Sequence, residues 1–196
     1  MSGWHAVVPI KPAAERKSRL RGHLDLAAIE ALTENMLDHV LDVLTRTRAI
    51  DAVTILAAQQ HPGWTGGWLC DHSDGLNEAL TLAARTVPRR LLIIHADLPG
   101  LGVADVDALV DGAAQGSALA PDRHDHGTNA LAIEDATAVP FAFGAGSFAR
   151  HQNLLPGGHI VRRPGLALDI DLPADLDEAI RQGHLPSWSD HKHRIF

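Results

Sequence analysis

Three aspartates in this sequence have the spacing and neighbours to hold a cation. The run Arg90 to Pro99, RLLIIHADLP, places four apolar residues, Leu91 to Ile94, ahead of Asp97. Such a run reads as a strand buried on both faces, so Asp97 falls where a strand ends. In open α/β sheets ligands collect outside the carboxyl ends of strands, which makes Asp97 a candidate metal or phosphate-site residue. Taken alone, it reads more readily as a turn residue before Pro99, and the acidic pair Asp169 and Asp171 is what shifts the reading. The second feature is Leu166 to Leu172, LALDIDL, where apolar and polar residues alternate. Strand side chains repeat every two residues, so Asp169 and Asp171 share a face and repel each other unless a cation lies between them. Hard oxygen ligands with no Cys or His beside them point to Mg²⁺.

A basic loop supplies the opposite charge. After a strand candidate, His5 to Ile10, come Lys11, Glu15, Arg16, Lys17 and Arg19. Lys11, Lys17 and Arg19 could neutralise a triphosphate, with Ser18 and the loop N–H groups donating to its oxygens. The plainer alternative is a solvated basic loop. Neither a Gly-x-x-x-x-Gly-Lys-Ser/Thr nor a Gly-x-Gly-x-x-Gly run is present, so a P-loop and a dinucleotide-binding Rossmann site are both unsupported. Further along, Asp74 is a plausible helix N-cap, Gly75 permits close backbone approach, and Asn77 could read a base or ribose from the first turn. Gly144 and Ser147 precede a helix expected over Phe148 to Leu155, where N–H groups favour an anion, and Ser147 is also a candidate N-cap. His124, Asp125 and His126 sit at i, i+2 spacing in a Gly-containing turn and read as exposed loop residues rather than metal ligands.

The elements that must carry these residues alternate. Leu26 to Leu44 has apolar residues at three-and-four spacing and reads as a core-facing helix. Asp51 to Ala58 is a second buried strand, so strand, helix, strand implies a parallel crossover. Gln59 to Gly67 is a loop that Trp64 and Trp68 pin to the body. Val103 to Ala113 is a helix, Ser117 to Pro121 a strand, His124 to Asn129 a turn into a strand over Ala130 to Ile133, and Pro173 to Ile180 a closing helix.

Composition bounds the rest. With 196 residues and 45% hydrophobic content, the chain suits one core, so a single domain is expected over 1–183 with 184–196 as a tail. A net charge of -7 with dispersed basic residues argues against a nucleic-acid polymer as partner. No apolar run approaches the roughly 20 residues of a membrane span and no signal pattern opens the chain, so a cytoplasmic location is expected. The lone Cys70 reads as a small core thiol.

Several motifs in one order carry a resemblance. Val8-Pro9-Ile10-Lys11-Pro12, Lys17-Ser18-Arg19-Leu20, Gly75-Leu76-Asn77, Ala96-Asp97-Leu98-Pro99, Ala120-Pro121-Asp122-Arg123, Gly127-Thr128-Asn129-Ala130-Leu131, Phe143-Gly144 with Ser147-Phe148, and Leu168-Asp169-Ile170-Asp171 together resemble the phospholactate and phosphoenolpyruvate guanylyltransferases of coenzyme F-420 biosynthesis. The resemblance spans about residues 5 to 180. It implies a GT-A-like nucleotidyltransferase related to the molybdenum-cofactor guanylyltransferases, an α/β three-layer α/β/α sandwich with a mostly parallel sheet. It also implies that Asp97, Asp169 and Asp171 hold two Mg²⁺. Thr128, Gly144 and Ser147 would bind a phosphorylated acid; Pro9, Ser18, Gly75, Asn77 and Asp122 would face the nucleotide; and Lys11, Lys17 and Arg19 would stabilise leaving pyrophosphate. The implied partners are GTP and phospholactate, phosphoenolpyruvate or 3-phosphoglycerate, with a homodimer allowed and no membrane. Ser73 stands where relatives tend to have Gly.

Two other functions fit parts of the pattern. A GT-A glycosyltransferase also uses strand-end carboxylates, a metal and a nucleotide, but transfers a sugar. A non-catalytic nucleotide-binding module would bind GTP without turnover, and three carboxylates are costly to assemble without a cation to hold.

Overall fold

The computed structural model describes residues 3–10, 17–73, 75–88, 90–136 and 141–185. Its strands are β1 (Trp4–Pro9), β2 (Ile50–Ala57), β3 (Gly67–Cys70), β4 (Leu91–Ile94), β5 (Ser117–Pro121), β6 (Thr128–Ile133) and β7 (His159–Ile160). The helices are α1 (Leu26–Arg46), α2 (Leu76–Ala84), α3 (Val103–Gly112), α4 (Ser147–Leu154), α5 (Pro164–Ala167) and α6 (Pro173–Arg181). One seven-stranded sheet has the order β3-β2-β1-β4-β6-β5-β7. β1, β2, β3 and β4 run parallel, β6 is antiparallel to both β4 and β5, and β7 is parallel to β5.

Burial explains the layering. Leu91 to Ile94 in β4 are all fully buried, because alternate side chains enter opposite cores. Leu92 and Ile94 join Ala6, Val8 and Ile55 beneath α1 and α3, represented by Val40, Leu44, Val106 and Leu109. Leu91 and Ile93 join Val7, Leu56 and Leu131 on the other face with Leu80 of α2 and Phe148 of α4. Each such aliphatic side chain contributes roughly 1.5 to 3 kcal/mol relative to exposure. Helix α1 starts where the Asp25 carboxylate accepts from Ala28 N–H at 2.8 Å and ends at Thr47, whose backbone is extended. No helix among the described residues is long and apolar enough to cross a membrane.

A third cluster lies outside the sheet and serves the site. Leu20, Leu24, Ile29, Leu32 and Met36 pack against Leu168, Ile170, Leu176 and Ala179. The segment Leu166 to Leu172, expected to alternate as a strand, joins no ladder: its start is taken by the helical turn of α5, with Pro164 in its first turn. The period of two survives, with Leu168 and Ile170 buried and Asp169 and Asp171 turned the other way. A hydrophobic anchor on one side is enough to enforce it.

Other expectations shift as well. Strand β3 lies inside the stretch around Gly67, and Trp64 and Trp68 do pin the backbone, their indole N–H groups donating to Gly67 O at 2.9 Å and Ala57 O at 3.1 Å. Cys70 is exposed on this edge strand rather than in a core. Thr128 and Asn129 belong to β6 rather than to the turn before it. Helix α4 begins at Ser147 with Gly146 as its cap. Lys11, Asp74 and the tail beyond residue 185 lie outside the described residues.

Candidate active site

The candidate residues gather at one edge of the sheet. Parallel strands β1, β2 and β4 present their carboxyl ends together, and antiparallel β6 begins there, with Ala130 opposite Ile94. His95 N–H donates to Asn129 O at 3.0 Å, which fixes the chain just before Asp97. The Asn129 side chain then reaches across to the acidic segment: its amide nitrogen donates to Leu166 O at 3.0 Å, to Ala167 O at 3.4 Å and to Asp169 Oδ1 at 3.3 Å. Ile170 N–H donates to Asp97 O at 3.3 Å. Two chain segments some seventy residues apart are thereby locked in register.

This brings one oxygen from each of Asp97, Asp169 and Asp171 within 4.8 Å of the others. Lys17, its side chain only 7% exposed, donates to Asp97 Oδ2 and to Asp171 Oδ1, the latter at 3.2 Å. Burial alone would lower the Lys17 pKa, but the charges of Asp97 and Asp171 outweigh it and raise it. Burial works to raise the Asp97 pKa, yet the Lys17 ammonium, helped by His95, holds it below the usual carboxylate range. Among the described residues no such cation lies on Asp169: burial, then the charges of Asp97 and Asp171, push it up to about 7. Asp97 Oδ1 is buried with no hydrogen-bond partner among the described residues. A buried orphan carboxylate oxygen, a neighbour that resists ionisation and an all-oxygen donor set fit a hard divalent cation.

The carboxylates are positioned from behind. Asp175, at the third residue of α6, accepts from Asp171 N–H at 3.0 Å and Leu172 N–H at 2.7 Å through Oδ2. Its other oxygen takes the Arg123 guanidinium, while Arg123 N–H donates to Ala167 O at 2.8 Å. In the sequence Arg123 is marked only as the end of the Ala120-Pro121-Asp122-Arg123 motif and Asp175 not at all, although the Pro-x-Asp start of α6 is a readable capping signal.

Thr128 and Ser147 come together but are buried, 1% and 2% exposed. Thr128 N–H donates to Ser147 Oγ at 2.8 Å, and Thr128 Oγ1 lies 2.9 Å from His151 Nδ1. Their polar atoms hold the loop ahead of α4 rather than facing outward. That loop is clamped from several sides. Asn77 donates to Phe143 O at 3.1 Å and accepts from Phe143 N–H at 2.7 Å, while Ala142 N–H donates to His151 Nε2 at 3.1 Å. Arg150 donates to Ala142 O at 2.9 Å and to Ala145 O. Gly144 and Ala145 are left exposed, and the N–H groups of Gly144, Ala145 and Gly146 donate to no acceptor among the described residues. Gly144 has φ 110 and Gly146 φ 71, a backbone that presents successive N–H groups to an anion.

On the expected nucleotide side, Pro9 ends β1 and Gly75 caps α2, both at the same sheet edge. Asn77 is occupied by Phe143, as above. Asp122 is turned into its own loop, accepting from the N–H groups of His124 and His126 at 2.9 Å each and from Gly127 at 2.6 Å. The His124 to His126 turn is exposed, as read from the sequence, and Asp125 pairs with Arg162 at 2.8 Å. Ser18 and Arg19 lie in a 3-10 turn with Arg19 exposed. Clefts along α1 near His61 and along α2 near Phe141 do not include the three carboxylates.

Comparison with known proteins identifies relatives of the chain. Residues 4–185 match the family model described as "Guanylyl transferase CofC like". A phosphoenolpyruvate guanylyltransferase of Sphaerobacter thermophilus is 43% identical over 195 residues, covering 92% of this chain and 93% of that protein. One from a Roseiflexus species is 35% identical, covering 90% and 83%. Among solved structures, a 4-diphosphocytidyl-2C-methyl-D-erythritol synthase of Anaerococcus prevotii has a TM-score of 0.63 at 8% identity, covering 94% and 97%, a likeness of fold.

Proposed function

Because the chain belongs to the CofC-like guanylyl transferase family and is a nucleotidyltransferase, we propose that it transfers GMP from GTP to the phosphate of a small phosphorylated acid. Phosphoenolpyruvate is the first choice because the relatives carry that name, with phospholactate and 3-phosphoglycerate as the other acceptors. Pyrophosphate leaves, and the product belongs to coenzyme F-420 biosynthesis. The observation that carries this reading is the cluster of Asp97, Asp169 and Asp171 with a lysine ammonium beside it.

The chemistry asks little of a base. An acceptor phosphate oxygen already carries negative charge, so it attacks the α-phosphorus of GTP in line without losing a proton, and repulsion between anions is the main barrier. Asp97, Asp169 and Asp171 would hold Mg²⁺, which when bound reduces that repulsion and orients the phosphates. Lys17, with Lys11 and Arg19 from the same loop, stabilises the pyrophosphate as it leaves. The N–H groups of Gly144 to Gly146 take the acceptor's phosphate or carboxylate, with Thr128 and Ser147 holding that loop. Pro9, Ser18, Gly75 and the loop tied by Asp122 border the nucleotide. The test is pyrophosphate release from GTP with each acid, coupled to the product mass. Transfer of a sugar, or GTP binding without turnover, would overturn the assignment.

A further inference from the structure

Lys17 combines three features seldom found in one lysine. Its side chain is 7% exposed, although lysines almost always keep the ammonium in water. Its backbone has φ 48, a left-handed conformation that non-glycine residues rarely adopt. Its ammonium bridges Asp97 Oδ2 and Asp171 Oδ1, two members of the acidic cluster. The third, Asp169, takes the neutral side-chain amide of Asn129 and pairs with no cation among the described residues.

Three carboxylates this close need positive charge among them, and in this conformation Lys17 supplies it. A divalent cation coordinated by the same oxygens would lie within a few ångströms of the ammonium, where like charges in a half-buried site exclude each other. We propose that Lys17 is the resident counter-ion of the acidic cluster, which a divalent cation must displace, so that metal and nucleotide enter as coupled ligands. This rests on the metal role assigned above and adds an order to it. Metal alone must strip Lys17 of its partners. When a nucleotide arrives with the metal, its phosphates offer the released ammonium new anionic oxygens, so each ligand strengthens the other. The left-handed backbone favours release, because leaving the cluster lets residue 17 relax. The exchange also delivers the lysine toward the phosphates only once the metal is seated.

The test is binding of Mn²⁺, followed by the spin resonance of the free ion, with and without GTP and with no acceptor present. Lys17→Met keeps the bulk of the side chain and removes the charge. It should bind Mn²⁺ alone about tenfold more tightly than the native protein, and GTP should improve its Mn²⁺ affinity by about tenfold less. Lys17→Arg should keep the weak metal-alone binding. Should Lys17→Met not fold, the native protein still answers: saturating Mg²⁺ without nucleotide should speed acetylation of the Lys17 amine, read by peptide mass, and GTP with Mg²⁺ should slow it again. Equal Mn²⁺ affinity in native and Lys17→Met proteins, with binding lost in Asp171→Asn, overturns the exchange and leaves the metal site standing. So does metal binding that leaves Lys17 labelling unchanged. Absence of Mn²⁺ binding in every form, even with GTP, overturns both.

Discussion

His151 Nδ1 lies 2.9 Å from the Thr128 hydroxyl, and it must be the protonated nitrogen, because Nε2 accepts from Ala142 N–H. The imidazole is therefore neutral. It is fully buried, and burial, with the charges of Arg150 and His95, lowers its pKa to about 4. A second proton would put two N–H groups face to face at Ala142. The unfolded chain takes up that proton near pH 6.5 and the folded one only near 4, so stability is complete above about 6.5 and falls as pH drops toward 4. The expected loss at pH 5 relative to pH 7.5 is about 2 kcal/mol. Urea unfolding at the two pH values checks it, and His151→Gln should flatten the difference; an equally steep pH dependence in that variant would assign the effect to other histidines.

Asp171→Asn is expected to abolish metal-dependent turnover while leaving the fold intact, since its side chain is about half exposed and no core residue depends on it. Circular dichroism and Mg²⁺ titration of activity separate the two effects. Full activity at saturating Mg²⁺ would remove Asp171 from the metal set.

How far the sequence reveals these parts depends on how local each signal is. The Leu91 to Ile94 run and the α1 stripe are legible because burial on two faces and a helical period of apolar residues are local patterns. The Asp169 and Asp171 pairing is legible for the same reason, since alternation reports a buried side whether or not a ladder forms. That Leu168 and Ile170 face a helical cluster instead of a sheet is not local, and the strand expected there fails. Asn129 carries no signal by itself, because its partner Asp169 is forty residues away. The two hydroxyls expected to face an anion, Thr128 and Ser147, lie side by side but buried, and that burial depends on how α4 packs on β6.

Asp175 is expected to act through Asp171. Asp175→Ala removes the acceptor of two backbone N–H groups and the carboxylate partner of Arg123. The expected results are a destabilisation of about 1 to 3 kcal/mol and a Mn²⁺ affinity lower by about tenfold. Asp175→Asn, which keeps one oxygen for those N–H groups, should recover most of the metal affinity. Loss of stability with metal affinity intact would make Asp175 a helix cap and nothing more.

The last prediction separates the acceptor end of the site from the nucleotide end. Gly144 holds φ 110, and a Cβ there would meet only Arg150 Nη2 at 3.7 Å, so space is available and the backbone conformation is what alanine cannot share. Gly144→Ala should rotate the loop, misdirect the N–H groups of Gly144 to Gly146, and raise the KM for the phosphorylated acid by about tenfold with the KM for GTP nearly unchanged. Ser147→Ala acts differently, because it leaves the buried Thr128 N–H without an acceptor, costing about 1 to 3 kcal/mol of stability. With Ser147 only 2% exposed, the effect of that variant on the acceptor KM should be smaller than that of Gly144→Ala, and Thr128→Val should follow it by breaking the contact with His151. Initial rates with each substrate varied in turn, together with urea unfolding, distinguish these cases. A larger acceptor KM effect from Ser147→Ala than from Gly144→Ala would return the hydroxyl to direct contact with the acid. Loss of GTP affinity in both variants, with the acceptor KM kept, would exchange the two ends of the site.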